Sequence, residues 1–413
     1  MENNFKRTKY TCYYTYLAMS SVFALTPILF LTFKEMYSVS YTLLGTLVFI
    51  NFFTQLLIDL VFTFFAQHFN IRNTVKTMPL ITSCGMLVYA LVPTMFPQHA
   101  YVGLVVGTVI FSVSAGLCEV LLSPTVAALP SDTHEKDMSV LHSLYAYGFV
   151  TVVVVSTAFL KIFGRENWMY LTLFWACLPI LSFVLFSVSP LPELKLSHGG
   201  KEKKNKYSML MPFVMCIFLG SAAENVMTNW ISGYVENVLH ISKSLGDILG
   251  MAMFATLLGI ARSAYAKYGK NISNVMLAGM IGAAVCYVVV AFSPSPAVSL
   301  TACVLTGFFT AMLWPGTLIM MDEKLYVGVA AYALMAAGGD FGASFAPQLM
   351  GVIVDTVAES GWAVSVAANI DFTPEQIGMK AGMLFSVIFP VLGAFVVIYI
   401  KNKFNGKEKL SQS

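Results

Sequence analysis

Hydrophobic residues form twelve long runs along the chain, and short polar segments separate them. A bilayer has a hydrocarbon core about 30 Å thick, and a helix needs about 20 apolar residues to cross it. The pattern therefore predicts an all-α polytopic membrane protein with twelve transmembrane helices. These predicted spans, numbered 1 to 12 in order, cover residues 10–33, 41–65, 75–96, 101–122, 140–162, 168–188, 209–235, 245–265, 275–292, 297–321, 327–354 and 377–400.

The two halves of the chain repeat the same glycine and proline pattern. Three positions return after a constant spacing of 191 residues: Gly116, Pro124 and Gly148 correspond to Gly307, Pro315 and Gly339. Repeated halves are a recurrent architecture of secondary transporters, whose substrate site lies at the seam of the repeats near the bilayer midplane. We expect two pseudo-symmetric six-helix bundles, at residues 1–189 and 208–413. Since proline frees a carbonyl and bends a helix, Pro124 and Pro315 are predicted hinges, together with Gly339.

Composition narrows the class of protein further. Hydrophobic residues make up 57% of the 413 residues and charged residues 11%, whereas about a quarter of a soluble domain is charged. The spans leave only short connections, so we expect no separate catalytic domain. The chain has no phosphate-binding loop, Gly-x-Ser-x-Gly elbow or HExxH helix, so we predict neither an enzyme nor an ATP-driven pump. We expect no cofactor and, since the seven cysteines form no CxxC pair, no metal site.

Lysine and arginine are distributed unevenly between alternate loops, which sets the expected orientation. Four basic residues mark one side: Lys34, Lys161, Arg165 and Lys243. The other side holds many more basic residues, including those of the lysine-rich segment 190–207. Arg262, at the end of span 8, is assigned to this second side. We therefore predict a multi-pass protein of the cell membrane with both termini cytoplasmic. Residues 190–207 are predicted to be a solvated linker, or alternatively a segment that binds anionic lipid.

Two stretches resemble a known family. The first is Ala115-Gly116-Leu117-Cys118-Glu119, followed by Ser123-Pro124, His142-Ser143 and Gly148; the second is Gly338-Gly339-Asp340-Phe341-Gly342 with Pro347 and Gly351. With the span count and central basic loop, these are similar to the major facilitator superfamily, and within it to sugar/proton symporters related to fucose permease. The resemblance implies the major facilitator fold and links the acid of helix 4, here Glu119, to proton coupling and sugar binding. Span 1 carries no acid to match that of fucose permease.

Four acidic residues inside predicted spans are candidates for functional sites: Asp59, Glu119, Glu224 and Asp340. An ionised side chain at the middle of a membrane helix costs about 2.5 to 3.5 kcal/mol on insertion scales, so it should face water or a partner. We predict that Glu119 is the proton-coupling residue and that His142, on the next helix, is its partner. The alternatives are a fixed salt bridge or helix cap for Glu119, and a hydrogen-bonded interhelical histidine for His142.

Span 7 has the densest set of polar side chains: Ser221, Glu224, Asn225, Thr228, Asn229 and Trp230. Their helical spacing places Ser221, Glu224 and Thr228 on one face and the two asparagines on the adjoining stripe. Amides and carboxylates hydrogen-bond a hydroxyl-rich solute, and an indole supports its C–H face. We therefore predict a substrate site at Glu224, Asn225, Asn229 and Trp230. The alternative is a polar zipper between helices, with Trp230 as an interfacial anchor.

Further candidates for the substrate site lie on spans 2, 10 and 11. Asp340 follows two glycines that permit close approach of helices, and it is predicted to contribute to the site from span 11, with a buried ion pair as the alternative. Trp314 is a second aromatic candidate, with helix packing as the alternative. Asn51, Gln55 and Asp59 form a stripe at i, i+4 and i+8 that either lines the outward pathway or joins span 2 to span 11.

These patterns predict a secondary active transporter. We expect it to move a small polar organic solute, a sugar or polyol, across the bilayer by alternating access coupled to protons, as a monomer. No basic stripe with interleaved aromatics indicates nucleic-acid binding. Two alternatives stay open: an exporter of drugs or amphipathic metabolites, which the abundant aromatic residues permit, and a non-transporting membrane sensor.

Overall fold

The computed structural model describes residues 2–65, 68–130, 134–192, 205–269, 271–325, 329–369 and 372–405, and within these it contains helices and no strand. The helices are α1 Glu2–Tyr37, α2 Tyr41–Phe65, α3 Ile71–Met95, α4 Ala100–Ala127, α5 His134–Phe163, α6 Trp168–Ser187, α7 Asn205–Asn237, α8 Lys243–Gly246, α9 Met253–Tyr268, α10 Ile272–Phe292, α11 Pro296–Thr310, α12 Leu313–Lys324, α13 Val329–Ala358, α14 Gly361–Ala367, α15 Pro374–Phe385 and α16 Ile388–Asn405.

In the part of the chain that the structure describes, twelve stretches of helix are long and apolar enough to cross a membrane, which confirms the predicted number of spans. Nine spans are single helices, and three are interrupted. Span 8 is built from α8, a π-helical segment Asp247–Ala252, and α9. Span 10 is α11 followed by α12, and span 12 is α15 followed by α16. The short helix α14, between spans 11 and 12, was not predicted.

Two of the interruptions have the same cause, a proline. One break falls at Ala311–Met312 and the other at Ser386–Val387. Pro315 lies four residues after Ala311, and Pro390 lies four residues after Ser386. Proline has no N–H, so it cannot bond the carbonyl four residues before it, and its ring crowds that carbonyl. The helix therefore breaks one turn before each proline.

The chain divides into two compact units. The first contains Met1–Val39 and Ile50–Ser197, and the second contains Ser40–Phe49 and His198–Ser413. The first turns of α2 are thus assigned to the second unit and the remainder of α2 to the first. The predicted linker, residues 190–207, lies mostly outside the described residues.

Glycines at equivalent positions of the repeat bring equivalent helices together. In the first unit, a Cβ on Gly116 of α4 would lie 3.0 Å from Ile58 Cβ of α2. In the second unit, a Cβ on Gly307 of α11 would collide with the carbonyl oxygen of Phe254 of α9. The sequence repeat therefore corresponds to a repeat in packing, because span 4 approaches span 2 as span 10 approaches span 8.

Aromatic side chains of the first unit pack together where α1 ends and α6 begins. The ring centroids of Phe33 and Trp168 are 5.0 Å apart in an edge-to-face arrangement, and Tyr89 packs on Phe33 at 5.8 Å. The hydroxyl groups of Tyr89 and Thr26 are 3.0 Å apart, so the buried phenol is hydrogen-bonded. Lys9 forms an ion pair with Asp137 at 3.0 Å, which joins α1 to α5.

A buried polar group fixes the π-helical segment of the second unit. Lys243 and Asp247 form an ion pair at 3.5 Å, and their side chains are 9% and 1% exposed. The Lys243 amine donates to the Ser232 hydroxyl at 3.1 Å, and Ser232 in turn donates to Asp247. Because both charges are compensated within one turn, a lysine and an aspartate are accommodated inside a membrane helix.

Asp355, near the end of α13, caps the start of α2 within the second unit. Its carboxylate oxygens accept hydrogen bonds from the backbone N–H groups of Tyr41 at 3.2 Å and of Thr42 at 2.6 Å. These N–H groups have no acceptor inside their own helix, and the helix N-terminus carries a partial positive charge. The Asp355 carboxylate therefore supplies acceptors for these N–H groups and a negative charge beside the positive end of α2.

We expect Asp355→Ala to lower the free energy of unfolding by about 1 kcal/mol, because it removes this cap. Thermal unfolding of the purified protein measures the loss. Glu359→Ala is a matched control, since Glu359 is an exposed acid four residues later, directly after the end of α13. Equal effects of the two substitutions would show that Asp355 contributes only its general charge.

Candidate functional site

The first unit brings two acidic residues together. Asp59 of α2 is 5% exposed, whereas Glu119 of α4 keeps an exposed face. One carboxylate oxygen of each residue lies within 4.8 Å of the other. The close approach of the two helices at Gly116, one turn before Glu119, places the two side chains within this distance. The sequence identified both acids but not their proximity.

A tyrosine of α1 lies near Glu119. The Tyr16 hydroxyl is hydrogen-bonded with Ser123, one turn after Glu119, and it lies within electrostatic range of Glu119 and of Tyr145. Tyr145 packs edge-to-face on Phe23 with 5.5 Å between ring centroids. Tyr16 and Tyr145 were not predicted as site residues. The signal available for them was weak, because a tyrosine in a membrane span is most often a packing or interface residue.

The predicted stripe on α2 bonds to α4. The Oδ1 atom of Asn51 accepts hydrogen bonds from the Ser112 hydroxyl at 2.7 Å and from the Gln55 amide at 3.0 Å. Asn51 is 6% exposed and Gln55 1% exposed. In this conformation Asn51 therefore joins α2 to α4 about two turns before Asp59, and Gln55 donates to Asn51 within the same helix.

The structure describes neither the side chain of His142 nor that of Pro124. Both residues belong to helices, His142 to α5 and Pro124 to α4. The proton relay assigned to His142 and the hinge assigned to Pro124 thus fall outside the described side chains.

The second unit has its own intramembrane charge pair. Glu224 of α7 faces Arg262 of α9, with 3.5 Å between Glu224 Oε1 and Arg262 Nη2. The basic residue was counted from the sequence as a charge at the end of a span, but the structure places it inside span 8, beside an acid of span 7. Hydropathy reports the transfer cost of each residue and not its partner, so this pairing could not be predicted.

Arg262 is held by a carbonyl that a proline leaves free. Its Nε–H donates to the carbonyl oxygen of Ala311 at 2.9 Å. In an uninterrupted helix this oxygen would accept from the N–H of residue 315, but Pro315 has none. The predicted hinge at Pro315 thus has a defined consequence, because the bond that it removes from the helix is replaced by a bond from the guanidinium.

The polar side chains of α7 differ in their accessibility. Glu224, Asn225 and Thr228 are half-buried, whereas Asn229 is buried and donates to the carbonyl of Asn225 at 2.8 Å. Asn225 likewise donates to the carbonyl of Ser221 at 3.0 Å. The accessible polar face therefore consists of Glu224, Asn225 and Thr228, and it is narrower than the sequence pattern indicated.

Trp230 does not offer the accessible indole face that was expected of a solute platform. It is 1% exposed, its N–H donates to the carbonyl oxygen of Pro347 at 3.2 Å, and its ring packs on Tyr41 with 5.7 Å between centroids. In this conformation Trp230 therefore packs α7 against α13 and α2. The period of a helix identifies a face, but it does not show whether another helix covers that face.

Trp314 and Gly339 form one packing contact. A Cβ on Gly339 of α13 would overlap the indole ring of Trp314 of α12, so the absence of a side chain makes room for the ring. Asp340, the next residue, is 4% exposed. The structure therefore gives Gly339 a packing role, and the substrate-binding role of Asp340 stays a prediction.

Comparison with known proteins identifies the family. The family model described as Major Facilitator Superfamily matches residues 12–347. No curated protein sequence matches the chain. Among solved structures, a bacterial homologue of the human lysosomal transporter Spinster is similar with a TM-score of 0.75 and 14% identity, and the match covers 98% of each chain.

Two sugar symporters are also similar in structure. The D-xylose–proton symporter has a TM-score of 0.73 and 15% identity over 94% of this chain and 97% of its own. The E. coli fucose–proton symporter has a TM-score of 0.58 and 14% identity over 94% of this chain and 99% of its own. Identities this low concern the fold, but the family match covers most of the chain. This protein, with its twelve apolar helices, is a member of the major facilitator superfamily and a multi-pass membrane transporter.

Proposed function

We propose that this transporter moves a small polar organic solute, a sugar or polyol, by alternating access coupled to protons. The observation that carries the proposal is the acidic pair of the first unit, Asp59 and Glu119, whose carboxylate oxygens lie within 4.8 Å. Two proteins of similar structure, a xylose–proton symporter and a fucose–proton symporter, carry the same class of solute with the same coupling ion as proposed here. The protein is proposed to act as a monomer in the cell membrane with both termini cytoplasmic.

The acidic pair is suited to holding a proton. Two ionised carboxylates this close repel each other, and low dielectric strengthens the repulsion. A proton shared by the pair removes the repulsion, and Tyr16 and Ser123 supply hydroxyl groups beside Glu119. The buried Asp59 is tied to its surroundings, whereas Glu119 keeps an accessible face. We therefore assign proton exchange with solvent to Glu119.

The accessible face of α7 is suited to binding the solute. Glu224 accepts hydrogen bonds, Asn225 can donate and accept, and Thr228 carries a hydroxyl. All three side chains already have a contact within the protein. A solute rich in hydroxyl groups can add hydrogen bonds to them, whereas an amphipathic drug would exclude water from them without adding any, at a cost in free energy. This contrast favours the polar solute over the exporter alternative.

Uptake into proteoliposomes tests the proposal. The purified protein is reconstituted, an inward proton gradient is imposed, and a panel of pentoses, hexoses, polyols and amphipathic cations is offered. We expect at least one sugar or polyol to accumulate, and the accumulation to disappear when a protonophore collapses the gradient. Uptake that ignores the proton gradient would contradict coupling. Transport restricted to amphipathic cations would contradict the solute class.

A further inference from the structure

Arg262 is a cation at membrane depth with unused capacity to donate hydrogen bonds. Its Nε–H is engaged by Ala311, and its terminal nitrogens meet one protein group, Glu224, at 3.5 Å. Within the described part of the chain these nitrogens have no further hydrogen bond. The Arg262 side chain is 36% exposed and that of Glu224 19% exposed. The Nε–H group of the guanidinium is thus fixed and one terminal nitrogen is weakly paired, while part of the group stays accessible.

The ion pair has the geometry of a weak contact. A close pair of arginine and carboxylate has two parallel hydrogen bonds of about 2.7 to 2.9 Å, and the single 3.5 Å contact to Glu224 falls short of this. A guanidinium with five donors satisfies a planar carboxylate better than it satisfies one distant oxygen. The anchor at Ala311 keeps the group in place whether or not Glu224 is bound.

We propose that Arg262 binds a carboxylate carried by the solute, and that the cargo is therefore an acidic sugar or a related polyhydroxy acid. The inference rests on the proposed function and narrows its substrate class. The solute carboxylate accepts hydrogen bonds from the terminal nitrogens of Arg262. The hydroxyl groups of the solute form hydrogen bonds with Asn225 and Thr228. Glu224 competes with the solute for the same guanidinium, so it weakens binding of the acid in the resting protein.

Paired ligands test the inference in the purified protein. Glucose and glucuronate, and galactose and galacturonate, differ by one carboxylate, and glucose 6-phosphate carries a phosphate instead. Thermal unfolding is measured with each ligand, because a ligand of the native state raises the transition temperature according to its affinity. We expect a uronate to stabilise the wild-type protein at concentrations at least tenfold below those needed for its neutral parent.

Three variants decide which residue is responsible. Arg262→Gln is expected to abolish the preference for the acid, and Arg262→Lys to reduce it, since lysine lacks the planar fork. Glu224→Gln is expected to tighten binding of the uronate several-fold, because the neutral amide no longer competes for Arg262 but still accepts hydrogen bonds from the solute hydroxyl groups. The preference for acid over neutral parent is measured within each variant, so a change in basal stability cancels. If Arg262→Gln does not fold, Arg262→Lys and Glu224→Gln decide between the outcomes.

Several results would overturn the inference. Equal stabilisation by neutral sugars and uronates, or weaker uronate binding in Glu224→Gln, would show that Arg262 and Glu224 form a structural pair. Stabilisation by glucose 6-phosphate alone would show that the site takes a phosphate and not a carboxylate. Proton-driven uptake of a neutral sugar without uptake of its uronate would overturn the inference and leave the proposed function intact. Absence of flux for both classes would instead overturn the proposed function.

Discussion

Replacement of Glu119 by glutamine is expected to abolish proton-driven accumulation of the solute while exchange across the membrane continues. The amide has nearly the shape of the carboxyl group, but it cannot release or take up a proton. A gradient of two pH units is worth about 2.7 kcal/mol per proton, which corresponds to an accumulation of about 100-fold for one proton per solute. We expect this ratio to fall to about one in the variant.

Proteoliposomes measure both properties in one preparation. Accumulation is followed under an imposed proton gradient, and exchange is followed with solute on both sides and no gradient. Glu359→Gln, in an exposed acid at the end of α13, is the control and should accumulate solute normally. Undiminished accumulation in Glu119→Gln would remove the coupling role from Glu119. If Asp59→Asn then abolished accumulation, the proton would be carried by Asp59 instead.

The second large effect is expected on stability, at the crossing of α7 and α13. A Cβ on Gly342 would collide with the carbonyl oxygen of Phe218 and would lie 3.0 Å from its carbonyl carbon and 3.2 Å from the backbone nitrogen of Ala222. All three atoms belong to the backbone, so no change of rotamer relieves the overlap. We expect Gly342→Ala to cost at least about 2 kcal/mol, which for a chain of 413 residues corresponds to a decrease in the transition temperature of about 2 °C.

A glycine without neighbours provides the matched control. A Cβ on Gly361, at the start of α14, would meet nothing within 4 Å. Gly361→Ala should leave the thermal transition unchanged or raise it slightly, because alanine restricts the unfolded chain. Similar losses in both variants would mean that the sensitivity of Gly342 does not arise from its contact with α7.

Much of the fold follows from local sequence. Hydropathy predicted the number of spans because the cost of burying charge in lipid is a property of each residue. The repeated glycines predicted two equivalent halves, and the structure adds that Gly116 and Gly307 make equivalent close contacts. The break before Pro315 was anticipated as a hinge, whereas the equivalent break before Pro390 was missed. The π-helical segment Asp247–Ala252 also escaped notice, since the contacts that support it come from the distant residue Ser232.

The candidate site was predictable in its parts but not in its assembly. Glu119 and Glu224 stood out because acids are rare in membrane helices. Their partners, Asp59 and Arg262, depend on how two helices cross, and the sequence does not encode that crossing locally. Trp230 is the reverse case, a residue that looked like part of a site but is buried between helices. A tryptophan, an apolar ring with one polar atom, fits a packed interface as well as an accessible site, so the two are distinguished only by whether a neighbouring helix covers the ring.

The interruption of span 10 also changes the electrostatics of the bilayer interior. An uninterrupted helix carries its partial charges at its two ends, near the headgroups, but here α11 ends at Thr310 in the middle of a span. The aligned peptide dipoles of α11 therefore place a negative pole at membrane depth, and Arg262 lies against the carbonyl at that pole. The backbone itself thus supplies part of the counter-charge for the arginine, which reduces the cost of keeping a cation there when its acidic neighbour is protonated or turned away.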